Sequence, residues 1–202
     1  MICTAPQPGS ATTARRPGRP RSTAAQQAIL QGTYLLMATK GLSATTYERV
    51  AAATGVSKVT IYKWWPTREA LLVDAFLEQA RTFLPLPETG HPIAIVRAHA
   101  VSYVAALNGA FGRVQLAVIA ECIGSTGNAA TFGERYLGER RAAGVALLMR
   151  AQKEGLIAAT DPPADLYDMI YGTLFYQSTF GLKRLTATAA RRLVDRVLRP
   201  AG

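Results

Sequence analysis

From Thr23 onward the apolar positions recur at the three- and four-residue spacing of helices, and no stretch alternates as a strand would. A first helix is predicted over about 24–39, with Ile29, Tyr34, Leu35 and Met37 among its apolar residues. Lys40 and Gly41 end it, a basic last turn followed by a glycine stop. Thr45 and Glu48 have capping-box spacing and open a second helix that runs to Thr54 and Gly55. Ser57 caps a short third helix through Trp65, and Pro66 and Thr67 open a fourth that reaches about Phe83. The proline-rich LPLPETGHP then breaks the pattern, and further helices are predicted at about 93–108, 113–124, 128–154, 164–182 and 188–198. The expected fold is all-α, with a small N-terminal three-helix unit and a connecting fourth helix followed by a larger helical bundle. The expected organisation is a disordered arm over 1–22, a first unit over 23–84 and a second over 85–202.

Charge sharpens this division. The 202 residues include 23 Lys and Arg against 13 Asp and Glu, a net charge of +10, which favours a polyanionic partner. Up to Pro66 the basic residues are Arg15, Arg16, Arg19, Arg21, Lys40, Arg49, Lys58 and Lys63, and the single acid is Glu48. Beyond Pro66 both signs mix, as on a solvated surface. The positive charge therefore belongs mainly to the N-terminal third.

The joint between the second and third helices is the most restrictive stretch. In YERVAAATGVSKVTIYKWWP, Ala51 falls where two helices cross closely, Gly55 in the turn, and Ile61 where the later helix enters the core. A small residue, a glycine and a β-branched residue at these spacings make a helix-turn-helix, whose second helix lies in the DNA major groove. Ile61 and Trp65, four apart, share the inward face. Thr60 and Trp64 share a neighbouring face flanked by Lys63. Trp64 there either covers a sugar–phosphate edge or a thymine methyl, or packs under the fourth helix.

The run TTYERVAAATGVSKVTIYKWWPTREALL resembles the DNA-binding domain of the tetracycline-repressor (TetR/AcrR) family of bacterial transcription regulators, over about 23–75. The resemblance implies that Thr46, Thr60 and Tyr62 bond phosphates, with Ser57 among the DNA-facing residues at the helix start. It implies that Lys58, Val59 and Lys63 face base edges and that Arg68 holds the DNA backbone from the fourth helix. Pro66 departs from the pattern, since many relatives carry a basic residue there. The expected partner is a double-stranded DNA operator, bound by a homodimer on an inverted repeat. The arm adds RRPGRPRS, which is similar to an AT-hook, with Arg16, Arg19 and Arg21 as candidates for a narrow A·T-rich minor groove. Nonspecific phosphate contact is the alternative for the arm.

In that family the C-terminal part binds a small molecule and dimerises, and the residues give independent support. In ADLYDMIYGTLFYQSTFGL, Leu166, Ile170 and Leu174 make one apolar stripe and Tyr167, Tyr171 and Phe175 another. A helix apolar all round is covered on all sides, so a second copy of the chain is expected over one of them. Leu193, Val194, Val197 and Leu198 of the last helix are expected to join that interface. Polar groups on apolar helices point to a cavity: His99, Tyr103, Glu121, Tyr136, Tyr171 and Phe175 are the candidates, with Tyr176 beside them. Each is also readable as an ordinary core or interface residue. As a group they suit a largely apolar or aromatic effector.

An enzyme is not expected. His91 and His99 are the only histidines, Cys122 and Glu121 lack a paired histidine motif, and no phosphate loop or metal-ligand spacing occurs. No cofactor or metal is called for. Cys3 and Cys122 imply no disulfide framework, no apolar run approaches a membrane span, and MICTAPQPGSATTARRPGRPRS lacks a signal-peptide core, so a cytoplasmic protein is expected. The competing binding role is a DNA-binding protein without a small-molecule switch, architectural or partner-controlled.

Overall fold

The structure, a computed structural model, describes residues 23–127 and 130–200. Every regular element among them is helical: α1 (Thr23–Lys40), α2 (Tyr47–Thr54), α3 (Lys58–Trp64), α4 (Arg68–Phe83), α5 (Pro92–Leu107) and α6 (Ala110–Thr126) come first. A short turn α7 (Ala130–Phe132) passes through a π-helical turn (Gly133–Leu137) into α8 (Gly138–Lys153), followed by α9 (Pro163–Thr179) and α10 (Ala187–Val197). No single described helix is long and apolar enough to cross a membrane.

The small unit closes around α1, which packs along α4 and against α2. Ile29, Val50 and Ile61 are fully buried there, and Trp65 is nearly so. Burying Trp65 leaves two polar demands, and both are met. Its indole Nε1 donates to Asp74 Oδ2 at 2.8 Å, and its carbonyl accepts from the Tyr47 hydroxyl at 2.8 Å. One contact runs forward into α4 and the other back to α2, so the end of α3 is held from both sides.

The second helix starts one residue later than its capping box predicts. Thr46 is the N-cap, its Oγ1 accepting from Arg49 N at 3.3 Å. Thr45 is instead buried and donates its hydroxyl to the Gly41 carbonyl at 2.9 Å, closing the turn after α1. With the Thr45 side chain turned back to Gly41, the cap of α2 falls to Thr46. Gly55 ends α2 at φ 69°, the left-handed backbone that disfavours a Cβ.

In the larger bundle, α5 packs against α10, α8, α6 and α9, and α8 pairs with α9. Arg97 ties α5 to Asp195 of α10 at 2.6 Å, and Arg141 ties α8 to Asp168 of α9 through two nitrogens at 2.8 and 2.6 Å. Gly144 permits the α8–α9 approach, because a Cβ there would run into the ring of Tyr167. α6 begins at Ala110, earlier than its pattern predicts, because Asn108 ends α5 and reaches across to the Leu185 carbonyl at 2.8 Å, placing the corner at Gly109. α9 stops at Thr179, before Gly181 at φ 61°. The predicted 128–154 helix is interrupted by the π turn.

Two expectations about coverage change. Both stripes of α9 are covered mainly within the chain: Leu166, Ile170 and Leu174 are buried, and so are Tyr167 and Tyr171. Val194 and Leu198 of α10 are buried too, and α10 lies against α5. The apolar groups that α9 leaves outside are Met169, Tyr176 and Phe180, at a spacing that keeps them on one face.

The face assignment of α3 is testable by stability. Ile61→Ala is expected to cost about 2–5 kcal/mol, as a fully buried β-branched residue does. Val59→Ala, two residues away and 79% exposed, is expected to stay within about 0.5 kcal/mol. Urea unfolding of both variants checks this; equal losses would mean that α3 sits in another rotation.

Candidate DNA-reading surface and ligand cavity

Helix α3 presents a basic, exposed face. Ser57 caps its start, with Oγ accepting from Thr60 N at 3.2 Å, and shares a hydroxyl hydrogen bond with Thr60 at 2.8 Å. Lys58, Val59, Tyr62 and Lys63 are all exposed, while Ile61 between them anchors the helix. Tyr62 stands edge-on against Tyr47 with ring centroids 5.6 Å apart, which gives the exposed ring a fixed support. Thr46, the cap of α2, is half-buried beside this face. An exposed Val59 between two lysines offers an apolar contact and two cations on one groove-sized surface, the mixture that base edges and phosphates take.

Lys58 is not idle in the free protein. Its ammonium pairs with Glu48 of α2, and the hydrogen bond from Lys58 holds the Glu48 carboxyl down at about 2. The pair is exposed on both sides, so it is readily given up.

Trp64 is half-buried, edge-on to Trp65 at 5.9 Å and packed against the core, so only part of its indole remains at the surface. Arg68 departs from its expected place on the DNA backbone. Its guanidinium points inward, donating to the Thr45 carbonyl at 3.0 Å, to the Leu42 carbonyl, and to the Glu121 carboxylate of α6. Glu121 is thereby corrected as well: it faces the start of α4 rather than the cavity. Arg16, Arg19 and Arg21 lie outside the described residues.

The larger bundle holds a partly open cavity of about 300 Å³ between α5, α6, the π turn, α8 and α9. His99, Tyr103, Tyr171 and Phe175 line it as expected from their types. The Tyr136 side chain lies outside the described residues, and Tyr176 is exposed, 5.2 Å from Phe180 on the outer surface. Pattern reading passed over Gln115 and Arg140, which also line the cavity. Gln115 is a single polar residue in an otherwise apolar run and Arg140 adjoins Arg141, so the local pattern sets neither apart.

A hydrogen-bonded chain runs along one wall. The Arg140 guanidinium lies 2.6 Å from His99 Nε2, and His99 Nδ1 lies 2.7 Å from the Tyr171 hydroxyl. A guanidinium only donates, so Nε2 accepts and the ring proton sits on Nδ1, which donates to Tyr171. Burial, reinforced by the Arg140 charge, holds His99 down at about 3. Burial likewise pushes the Tyr171 phenol up, so it stays protonated. Among the described residues no cluster of His, Cys, Asp and Glu is placed to hold a metal.

The depressed imidazole has a consequence for stability. Unfolded, His99 takes its proton near 6.5; folded, only near 3. Between these values the unfolded state binds one proton more, so stability is complete above about pH 6.5 and falls as pH drops through the window. His99→Gln is expected to flatten this part of the slope in urea midpoints measured from pH 7 to pH 4; an unchanged slope would place a charged imidazole in the wall.

Comparison with known proteins agrees with this layout. Residues 29–75 match the family model described as bacterial regulatory proteins, tetR family, and residues 86–197 match tetracyclin repressor-like, C-terminal domain. The uncharacterised HTH-type transcriptional regulator YdeS of Bacillus subtilis (strain 168) is 34% identical over 164 residues, 79% of this chain and 81% of YdeS. The crystal structure of the TetR family transcription regulator SCO0332 superposes with a TM-score of 0.73 at 26% identity, over 86% of this chain and 96% of that one. AibR, whose structure is in complex with isovaleryl coenzyme A and operator DNA, shares the fold at TM-score 0.58 and 18% identity, over 87% and 99% of the two chains. With both halves matched and a 34% identical relative spanning most of its length, the chain belongs to the TetR family of DNA-binding transcriptional regulators.

Proposed function

We propose that this regulator is a cytoplasmic repressor that binds an inverted-repeat operator as a homodimer and is released by a small apolar or aromatic effector. One observation carries the reading: α4 joins an exposed basic reading helix at one end to the wall of a cavity at the other. The unit over 23–84 reads DNA, the unit over 85–202 binds effector and dimerises, and the arm over 1–22 contacts the flanking duplex. Lys58, Val59 and Lys63 meet base edges, while Ser57, Thr60, Tyr62 and Thr46 meet phosphates. Trp64 contributes only the exposed part of its ring. Arg68 acts indirectly, by fixing α4 to the turn before α2 and to α6. Met169, Tyr176 and Phe180 give the second copy an apolar face on α9. AibR, of similar fold, is a precedent for operator DNA and an effector on one such protein.

Fluorescence anisotropy on the footprinted operator tests the reading surface. Lys58→Ala is expected to cost about 1–3 kcal/mol of binding and to relax preference at one base position per half-site. Glu48→Gln is expected to tighten binding to any duplex several-fold without sharpening preference, because it removes the single acid beside the phosphates. Half-sites are expected on the order of 34–36 Å apart or longer. Sedimentation showing a monomer at micromolar concentration, with undiminished binding to single half-sites, would overturn the dimeric reading.

A further inference from the structure

Among the described residues, four buried side-chain polar atoms lack a hydrogen-bond partner, on Thr33, Gln115, Arg150 and Thr179. Of these residues only Gln115 lines the cavity. It belongs to α6 and is 1% exposed. Its Nε2 donates to the Tyr103 hydroxyl at 3.3 Å, which sets the amide and leaves Oε1 without a donor. A buried carbonyl oxygen in that condition has lost its water and gained no bond in exchange. An O–H or N–H entering the cavity satisfies it.

The rest of the lining narrows the kind of donor. Asp168 is the one carboxylate among the described lining residues, and Arg141 already donates to both of its oxygens, at 2.8 and 2.6 Å. An ammonium entering the cavity therefore meets no open counter-ion, and a buried charge without one is costly. A carboxylate offers only acceptors and would meet Oε1 oxygen against oxygen. An uncharged hydroxyl incurs neither penalty. Around it the wall is apolar, with Ile119, Phe132, Leu137 and Phe175. At interior packing density about 300 Å³ takes on the order of a dozen non-hydrogen atoms, so the occupant is small.

Within the effector-released reading given above, we infer that the effector is a small uncharged molecule, an aromatic or aliphatic body bearing a hydroxyl group. Gln115 selects it by accepting the hydroxyl's hydrogen bond at Oε1, and the body fills the apolar part of the cavity against Ile119 and Phe132. Both anchors connect to α4. Gln115 shares α6 with Glu121, which holds Arg68 at the start of α4. The Phe132 ring lies 5.7 Å from that of Phe76, in the middle of α4. The ligand thus bears on α4 through α6 and Phe132, without touching the helix itself.

Wild-type protein is titrated calorimetrically with 4-propylphenol, with its methyl ether 4-propylanisole and with 3-phenylpropanoate, in the presence and absence of operator. The phenol is expected to bind on the order of tenfold more tightly than the ether, which keeps the body and the oxygen but lacks the donor. It is expected to bind more tightly than the acid as well. In Gln115→Met, similar in volume and without the amide, the preference for phenol over ether is expected to vanish, while the thermal midpoint without ligand stays near that of wild type. The matched pair on wild-type protein decides the recognition even where the variant does not fold. Operator is expected to weaken phenol binding by the same factor as the phenol weakens operator binding. An ether that binds as tightly as the phenol would overturn recognition through the hydroxyl, as would a preference that survives Gln115→Met. Release of operator by the acid alone would overturn the uncharged class and leave an effector-released repressor intact. Phenol that binds through Gln115 without altering operator affinity would keep the ligand class and overturn the effector-released reading. Binding of none of the three would overturn the ligand class.

Discussion

Helix α4 is the part on which the rest of the molecule depends, because it is pinned at both ends by guanidiniums that reach backbone carbonyls. At its start Arg68 ties it to the Leu42 and Thr45 carbonyls before α2 and to Glu121 of α6. At its end Arg140 of α8 closes the Ala80 and Leu84 carbonyls. Between the two, Leu71, Leu72, Ala75, Phe76 and Ala80 are buried, so the helix moves as a body or not at all.

The reading head gains its precision from the same economy of contacts. Trp65 is buried where α3 ends, and its two hydrogen bonds go to helices on either side. This leaves α3 itself only seven residues long, too short to be stable alone. Its Ser57 cap and the burial of Ile61 hold it, and the exposed side chains can then be chosen for DNA without regard to folding. Glu48 fits this division: it is exposed and pairs with Lys58 at the surface, outside the core.

The cavity wall illustrates a different balance. Buried polar groups are tolerated when bonded, and the run Arg140, His99, Tyr171 is bonded at each step. Such a chain has little freedom to accept a substitute partner piecemeal. The same guanidinium reaches the Leu84 carbonyl, so the chain links the cavity wall to the end of α4 and to α9.

By itself the sequence determined what depends on near neighbours. The helical period, the Gly55 turn, the Ser57 cap and the inward faces of Ile61 and Trp65 all follow from residues within a turn or two of one another. The all-α architecture and the basic reading helix were legible for that reason, as were His99, Tyr103, Tyr171 and Phe175 as cavity residues by type. Tertiary structure decided which partner each long polar side chain takes. Arg68 and Glu121 are 53 positions apart, and Arg140 stands 56 from Leu84 and 41 from His99. Helical periodicity assigns such residues to a face, but a flexible arginine reaches several groups from any face. Only the crossing of α4, α6 and α8 selects Glu121 for the start of α4 and Arg140 for its end, and the same crossing leaves Gln115 facing the cavity instead of solvent.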